Sequence, residues 1–238
     1  MTFRETRKMK AITFSFDDGV LQDIKTIELL DKYGLKATFN LNSELLGGRN
    51  ILRFEDHRAH VVPRYIIAPE HVKDVYANHE VAAHTLTHAN LTTLEDDNEI
   101  IRQVEQDRLN LSDIVGYEVI GMAYAGGGVN SNEHCAELIR KHTGIQYARG
   151  LKRSLNFEFP ENIYRFAPSA STDYLDQLDD LANRFIELKP DKPQMLYIMG
   201  HTYGLDYEIE RWMKLESILE KLSYLDDVFY GTNREVLL

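Results

Sequence analysis

Short apolar strand patterns alternate with amphipathic helix patterns along almost the whole chain, and this alternation constrains the fold more than any other feature. Ala11–Phe16 reads as a strand. A helical stretch follows over Val20–Tyr33, with Val20, Ile24 and Ile27 on one face and Gly34 as its stop. The series continues with a strand at Ala37–Leu41, a helix at Pro69–Tyr76 and a strand at Glu80–Ala83. A long helix is predicted over Leu94–Val115, with Ile100, Val104, Leu111 and Val115 turned inward. Then come a strand at Glu118–Ala123, a helix at Glu133–His142 and a strand at Ile145–Ala148. Tyr174, Leu178, Leu181, Phe185 and Leu188 form a three-four stripe stopped by Pro190 and Pro193. Met195–Met199 is the next strand. Trp212, Leu215, Leu219 and Leu222 mark the last helix, and Val228–Tyr230 the last short strand. Such alternation predicts an α/β fold with a parallel sheet and helices outside. About seven strand–helix units in 238 residues favour one barrel-like domain over residues 1–238 rather than two domains.

Two stretches break the rhythm. Gly47–Ile67 is rich in Arg and His and reads as an insertion over one face. With His57, Arg58, His60 and Arg64 it could close over a substrate or merely pack; packing and partner contacts are the favoured expectation. Gly150–Thr172 lacks helical spacing and reads as an irregular excursion or hairpin.

In a parallel α/β fold, functional side chains gather at the carboxyl ends of the strands. The first strand runs straight into Asp17-Asp18-Gly19. Two adjacent carboxylates at a buried strand end repel unless a cation joins them, although either alone could simply cap the following helix. The third strand runs into His84-Thr85-Leu86-Thr87-His88, two histidines four apart that can meet one ion. His79, before that strand, reads as surface or as a supporting residue. A late strand leads into Gly200-His201-Thr202-Tyr203-Gly204, where Gly200 permits close backbone approach. Another ends in Tyr124-Ala125 and Gly126-Gly127-Gly128. That glycine run resembles a phosphate cradle, but the Lys-Ser/Thr of a P-loop does not follow it. Together, one Asp and two His make a mixed three-ligand site with an open position for water, and a second Asp and a distant His supply a base and an acid. Those are the parts needed for metal-assisted hydrolysis of an acyl group.

Composition narrows the partners. The net charge of −11 makes nucleic acid a poor ligand, whereas a neutral glycan is not repelled. No apolar run reaches the roughly 18 residues of a membrane span. The first ten residues are charged and lack a secretory apolar core, which points to the cytoplasm; a trimmed signal would leave the same sequence. The single cysteine, Cys135, rules out an intramolecular disulfide and is expected to be a buried, inert thiol. The sequence leaves the oligomeric state open, a homodimer included.

Thr13-Phe14-Ser15-Phe16-Asp17-Asp18-Gly19 resembles the first motif of the polysaccharide deacetylases (the NodB-homology group, carbohydrate esterase family 4). His84-Thr85-Leu86-Thr87-His88 resembles the second motif, and Ile198-Met199-Gly200-His201 is similar to a late Leu-x-x-His motif. The resemblance implies a distorted (β/α) barrel of about seven strands acting on an N- or O-acetylated saccharide. It implies Asp17 as general base, His201 as general acid, and Asp18, His84 and His88 as ligands of one divalent ion. That ion would be Zn²⁺ by default, with Co²⁺, Ni²⁺ or Mn²⁺ also suited to such ligands. Tyr124 would line the site and offer its backbone N–H to the oxyanion. Ile198 would shape the acetyl pocket, and Tyr203 would contact substrate.

The family's third motif is commonly Arg-x-Pro plus an aromatic; here the stretch is Gly121-Met122-Ala123-Tyr124, so Arg and Pro are missing. Arg149 is expected to reach the base carboxylate from a neighbouring strand end, ahead of Arg153 or Arg165. Asp173 is a candidate for the acidic partner of the acid histidine. These departures keep two rivals open: a saccharide-binding relative with little turnover, and a hydrolase of non-sugar amides on the same barrel.

Overall fold

The computed structural model describes the backbone of residues 1–54 and 60–238, and side chains outside 50–60. In chain order the elements are β1 (Lys10–Asp17), α1 (Gln22–Lys32), β2 (Ala37–Leu41), β3 (Arg49–Phe54), β4 (His60–Tyr65), α2 (Pro69–Val75), β5 (Glu80–Ala83), α3 (Asp97–Val115) and β6 (Gly121–Ala123). There follow α4 (Glu133–His142), β7 (Tyr147–Arg149), β8 (Ala170–Ser171), α5 (Leu175–Glu187), β9 (Gln194–Gly200), α6 (Ile209–Leu222), β10 (Val228–Tyr230) and α7 (Asn233–Leu237).

Seven parallel strands in the order β7-β6-β5-β2-β1-β9-β8 form a curled half-barrel, the distorted (β/α) barrel expected from the sequence. β10 pairs in parallel with the first residues of β1, ahead of the point where β2 takes over. Residues 163–169 span the gap between the edge strands: Ala148 and Gly150 donate to the carbonyls of Ile163 and Phe166, and Ser169 donates to Tyr197. No helix among the described residues is long and apolar enough to cross a membrane.

Side-chain parity divides the core. On β1, Ile12, Phe14 and Phe16 face the helical layer and pack with Phe39, Leu41, Leu196 and Ile198. Ala11, Thr13, Ser15 and Asp17 alternate to the barrel interior. There Ala11 joins Tyr147, Phe166, Met195 and Tyr197. Both faces are covered, so β1 is buried along its whole length, as a central parallel strand should be.

Several local expectations need correction. α1 turns Asp23, Thr26 and Leu30 inward, and Ile24 is exposed. It is capped by no side chain, so neither Asp17 nor Asp18 is there as a helix cap. The described parts of the 47–67 insertion form the antiparallel hairpin β3–β4, while His57 and Arg58 lie outside the described residues. The irregular 150–172 stretch ends in the short strand β8, which pairs with β9. Tyr174 stands outside α5 and is exposed. His79 is buried rather than superficial: its Nδ1 accepts from the Ala37 N–H and its ring packs edge-on against Phe39. Cys135, by contrast, is buried as expected, and burial raises its thiol pKa.

Candidate active site

The carboxyl ends of β1, β5, β6, β7 and β9 converge on a cavity of about 320 Å³. It is lined by Asp17, Asp18, Arg64, His84, His88, Tyr124, Gly126, Gly127, Leu151, His201 and Tyr203. The structure thus gathers Asp17, Asp18, His84, His88, Tyr124, His201 and Tyr203 at one place, although 184 residues separate the first from His201 in sequence.

Asp17 ends β1 and is buried. Its Oδ1 accepts from the Arg149 guanidinium and, at 2.8 Å, from Asn40 Nδ2. Its Oδ2 lies 3.9 Å from His201 Nε2 and is the oxygen left facing the cavity. Burial would raise the Asp17 pKa, but the charges of Arg149, His84 and His201 overrule it and hold the carboxyl below its ordinary range. Arg149 is fully buried and reaches Asp17 from β7, as the sequence reading expected. Arg153 instead stacks on Tyr174, and Arg165 faces Glu133 at 3.6 Å.

Asp18, His84 and His88 present one ligand atom each, all within 4.8 Å of one another. Asp18 Oδ1 lies 3.4 Å from His88 Nε2 and 3.9 Å from His84 Nε2. Tetrahedral coordination at bond lengths of about 2.0–2.2 Å needs separations near 3.4 Å, so modest side-chain rotation suffices. Two further observations fit an ion. Asp18 Oδ1 is buried with no directed hydrogen bond. His84 Nδ1 is bound to the Ala123 carbonyl at 2.9 Å, which turns Nε2 toward Asp18. Burial also lowers the His84 pKa, against the pull of Asp17 and Asp18, and favours the neutral imidazole that a metal requires.

The backbone is strained at this spot. Asp18, Thr85 and His88 adopt φ of 85°, 66° and 61°, where non-glycine residues cost of order 1–3 kcal/mol each. The surroundings hold them there. The Asp18 N–H donates to the Asn40 carbonyl, the His84 N–H to Asp107, and Asn42 Nδ2 to the His84 and Thr85 carbonyls. Gly19 continues the turn at φ 66°, and a Cβ there would come within 2.6 Å of Leu41.

His201 follows β9. Its Nδ1 lies 3.8 Å from Asp173 Oδ2. Burial disfavours its charge, but Asp173, Asp17 and Asp18 outweigh that and raise its pKa to about 9. Gly200 is required by packing, since a Cβ there would overlap the Thr172 hydroxyl. Thr202 donates to the buried Asp23 at 2.6 Å, as does Tyr76 at 2.7 Å, which ties the His201 loop to α1 and α2. The Tyr203 ring centroid lies 5.3 Å from that of His201.

Two expected roles do not fit the geometry. The Tyr124 N–H already donates to the Arg149 carbonyl at 2.9 Å, so it is not free for an oxyanion. Its ring still lines the cavity, and its hydroxyl donates to the Tyr164 carbonyl. Ile198 registers with Phe14 and shares its outward side, packing under the helices rather than in the acetyl pocket. Met199 registers with Ser15 and faces the interior that Asp17 faces.

Arg64 also reaches the site, although packing was the favoured expectation for its segment. Its Nη2 lies 2.7 Å from Asp18 Oδ1. The signal was a two-residue alternation, with Val62 and Arg64 turned inward between exposed Val61, Pro63 and Tyr65. Asn40, which holds Asp17, also lay in plain view on β2 but belonged to no motif.

The family model for polysaccharide deacetylase matches residues 4–148. No curated protein sequence matches the chain significantly. Among solved structures, a family 4 carbohydrate esterase from Streptomyces lividans in complex with acetate is 12% identical, with a TM-score of 0.57. The match covers 94% of this chain and 92% of that one. The Bc1960 peptidoglycan N-acetylglucosamine deacetylase is 16% identical with a TM-score of 0.60, over 97% of this chain and 88% of that one. A mutant of BA3943, described as a family 4 pseudoenzyme with restored activity, is 17% identical with a TM-score of 0.60, over 98% and 68%. At these identities the likeness is one of fold.

Proposed function

Because the chain belongs to the polysaccharide deacetylase family, we propose that it removes an acetyl group from an acetylated saccharide by metal-dependent hydrolysis. The observation that carries this reading is the cavity itself. An ionised Asp17 and a high-pKa His201 face each other at 3.9 Å beside the Asp18–His84–His88 cluster.

Asp18, His84 and His88 would hold one divalent ion, with Zn²⁺ the default for two imidazoles and a carboxylate. When bound, the ion supplies a Lewis acid for the acetyl carbonyl and lowers the pKa of water. Asp17 acts as general base through Oδ2, since Arg149 and Asn40 hold Oδ1. Arg149 fixes the carboxylate and keeps it ionised. His201 protonates the leaving amine or alkoxide from Nε2, and Asp173 at Nδ1 favours the imidazolium that does so. Met199, in register with Ser15 on the interior side of the sheet, is a better candidate than Ile198 to back the acetyl methyl. Tyr124 and Tyr203 form walls of the cavity.

Acetate release from a panel of acetylated saccharides tests the reading, after chelation and after re-addition of Zn²⁺ or Co²⁺, with Asp17→Asn beside the wild type. Metal-restored release that Asp17→Asn abolishes supports it. Stoichiometric metal binding without release from any saccharide would replace it with a binding role or a non-sugar amide substrate.

A further inference from the structure

The cavity carries one cation more than the reaction needs. Arg149 serves Asp17, and Asp173 serves His201. Arg64 is left, on a hairpin outside the barrel. Its placement is enforced by the backbone. The Leu21 N–H donates to the Tyr65 carbonyl at 2.8 Å and the Ile67 N–H to the Gly19 carbonyl at 2.8 Å. The end of β4 is therefore stitched to the turn that follows Asp18, and strand parity aims Arg64 at the cavity. The side chain is 15% exposed, and its Nε is buried with no hydrogen-bond partner among the described residues. Among the described residues its one close anionic contact is Asp18 Oδ1, the same oxygen that the two histidines surround.

Ion pairs join Asp17 to Arg149, Asp18 to Arg64 and His201 to Asp173 and Asp17. A divalent ion on Asp18 would add two positive charges, and the cavity's other lining carboxylate among the described residues, Asp17, is already engaged by Arg149. It also competes for the oxygen that Arg64 contacts. Beyond Leu151, which lines both spaces, an adjoining cavity of about 300 Å³ carries two more cations, Lys152 and Arg165. Arg165 there faces Glu133 at 3.6 Å, so the basic side chain of the adjoining space that is left to a ligand is Lys152.

We propose that Arg64 reads a carboxylate on the substrate, so that the site selects acidic acetylated saccharides over neutral ones. This rests on the deacetylase reading of the cavity. A planar guanidinium suits a carboxylate in two-point contact, which lysine does not reproduce. The carboxylate replaces Asp18 as the partner of Arg64 and leaves Asp18 to the ion. Lys152, in the adjoining space, extends the preference to the next sugar unit.

Two probes test this: an O-acetylated hexuronate disaccharide and an N-acetylated amino-sugar disaccharide bearing a carboxylate, each beside its carboxyl-reduced counterpart. The metal-loaded wild type should favour an acidic member by tenfold or more in kcat/KM. In Arg64→Gln that ratio should fall to near one, and Arg64→Lys should restore only part of it. Calorimetric binding of the same pairs to metal-loaded Asp17→Asn, with and without Arg64→Gln, reads recognition without turnover. A wild-type ratio near one in rate and in binding overturns the proposal, as does a ratio that survives Arg64→Gln. Carboxylate-dependent binding that vanishes in Arg64→Gln, with no acetate released by the wild type, upholds Arg64 and removes the deacetylase reading instead.

Discussion

The guanidinium of Arg149, at the end of β7, holds the carboxylate of Asp17, at the end of β1, across 132 residues of sequence and with both side chains buried. The family's usual third-motif arginine would stand one strand nearer, on β6, where this chain has Gly121 and a backbone backed by Tyr147. A charge needed at one carboxylate can arrive from any neighbouring strand end that the curl of the sheet brings close.

Breaking this pair should cost both stability and rate. Arg149→Ala leaves a buried carboxylate alone, a loss of about 3–5 kcal/mol. It also lets the Asp17 pKa rise, so at neutral pH the rate should fall by about 10²-fold or more. Urea unfolding and acetate release measure the two effects. An unchanged rate in a folded Arg149→Ala protein would remove the positioning role.

Asp173 should set the alkaline limb of the pH–rate profile. It favours the charged form of His201, whose pKa stands at about 9. Asp173→Asn removes that support, so the His201 pKa falls and the limb moves to lower pH. The acid limb should follow Asp17, below the ordinary carboxylate range, and stay in place. Profiles of kcat/KM for the two proteins decide it.

The proposed metal ligands should be separable from their neighbours by calorimetry. His84→Ala or His88→Ala should weaken Zn²⁺ binding by more than the roughly 10–100-fold that loss of a supporting partner costs. His79→Gln, buried beside Phe39 and far from the ligand cluster, should leave the affinity in place.

Side-chain parity on β9 gives a sharper test. Ile198→Ala should cost about 2–5 kcal/mol of stability through a cavity in the outer core. Met199→Ala should instead raise KM or lower kcat for the acetylated substrate. The reverse pattern would mean that the register between β1 and β9 has been misassigned to function.

His79 also predicts a stability profile. Burial lowers its folded pKa to about 4, against the pull of Asp31, while an unfolded histidine titrates near 6.5. Between those values the unfolded chain binds a proton that the folded chain refuses. Stability contributed by the neutral ring is therefore whole above about pH 6.5 and declines as pH falls toward 4, by up to about 3 kcal/mol. In His79→Gln that component should vanish, which parallel urea titrations at pH 7.5 and 5 would show.

Much was legible in the sequence because it is carried by local patterns. Strand–helix alternation set the architecture, since a parallel strand covered on both faces must be apolar throughout and each crossover helix must show a stripe. Asp17, Asp18, His84, His88 and His201 were legible because chemistry at a strand end needs those residue types next to an apolar run. Asp173 and Arg149 could be nominated, but only as candidates among several.

Tertiary structure decided the rest, because it turns on parity, register and curl, which a linear pattern does not encode. The register of β1 against β9 puts Met199 inside and Ile198 outside. The ladder between β6 and β7 occupies the Tyr124 N–H. The stitching of β4 to the turn after Asp18 brings Arg64 from a supposed packing segment onto the Asp18 carboxylate. Sequence chose the side chains; the order in which strands lie side by side chose which of them meet.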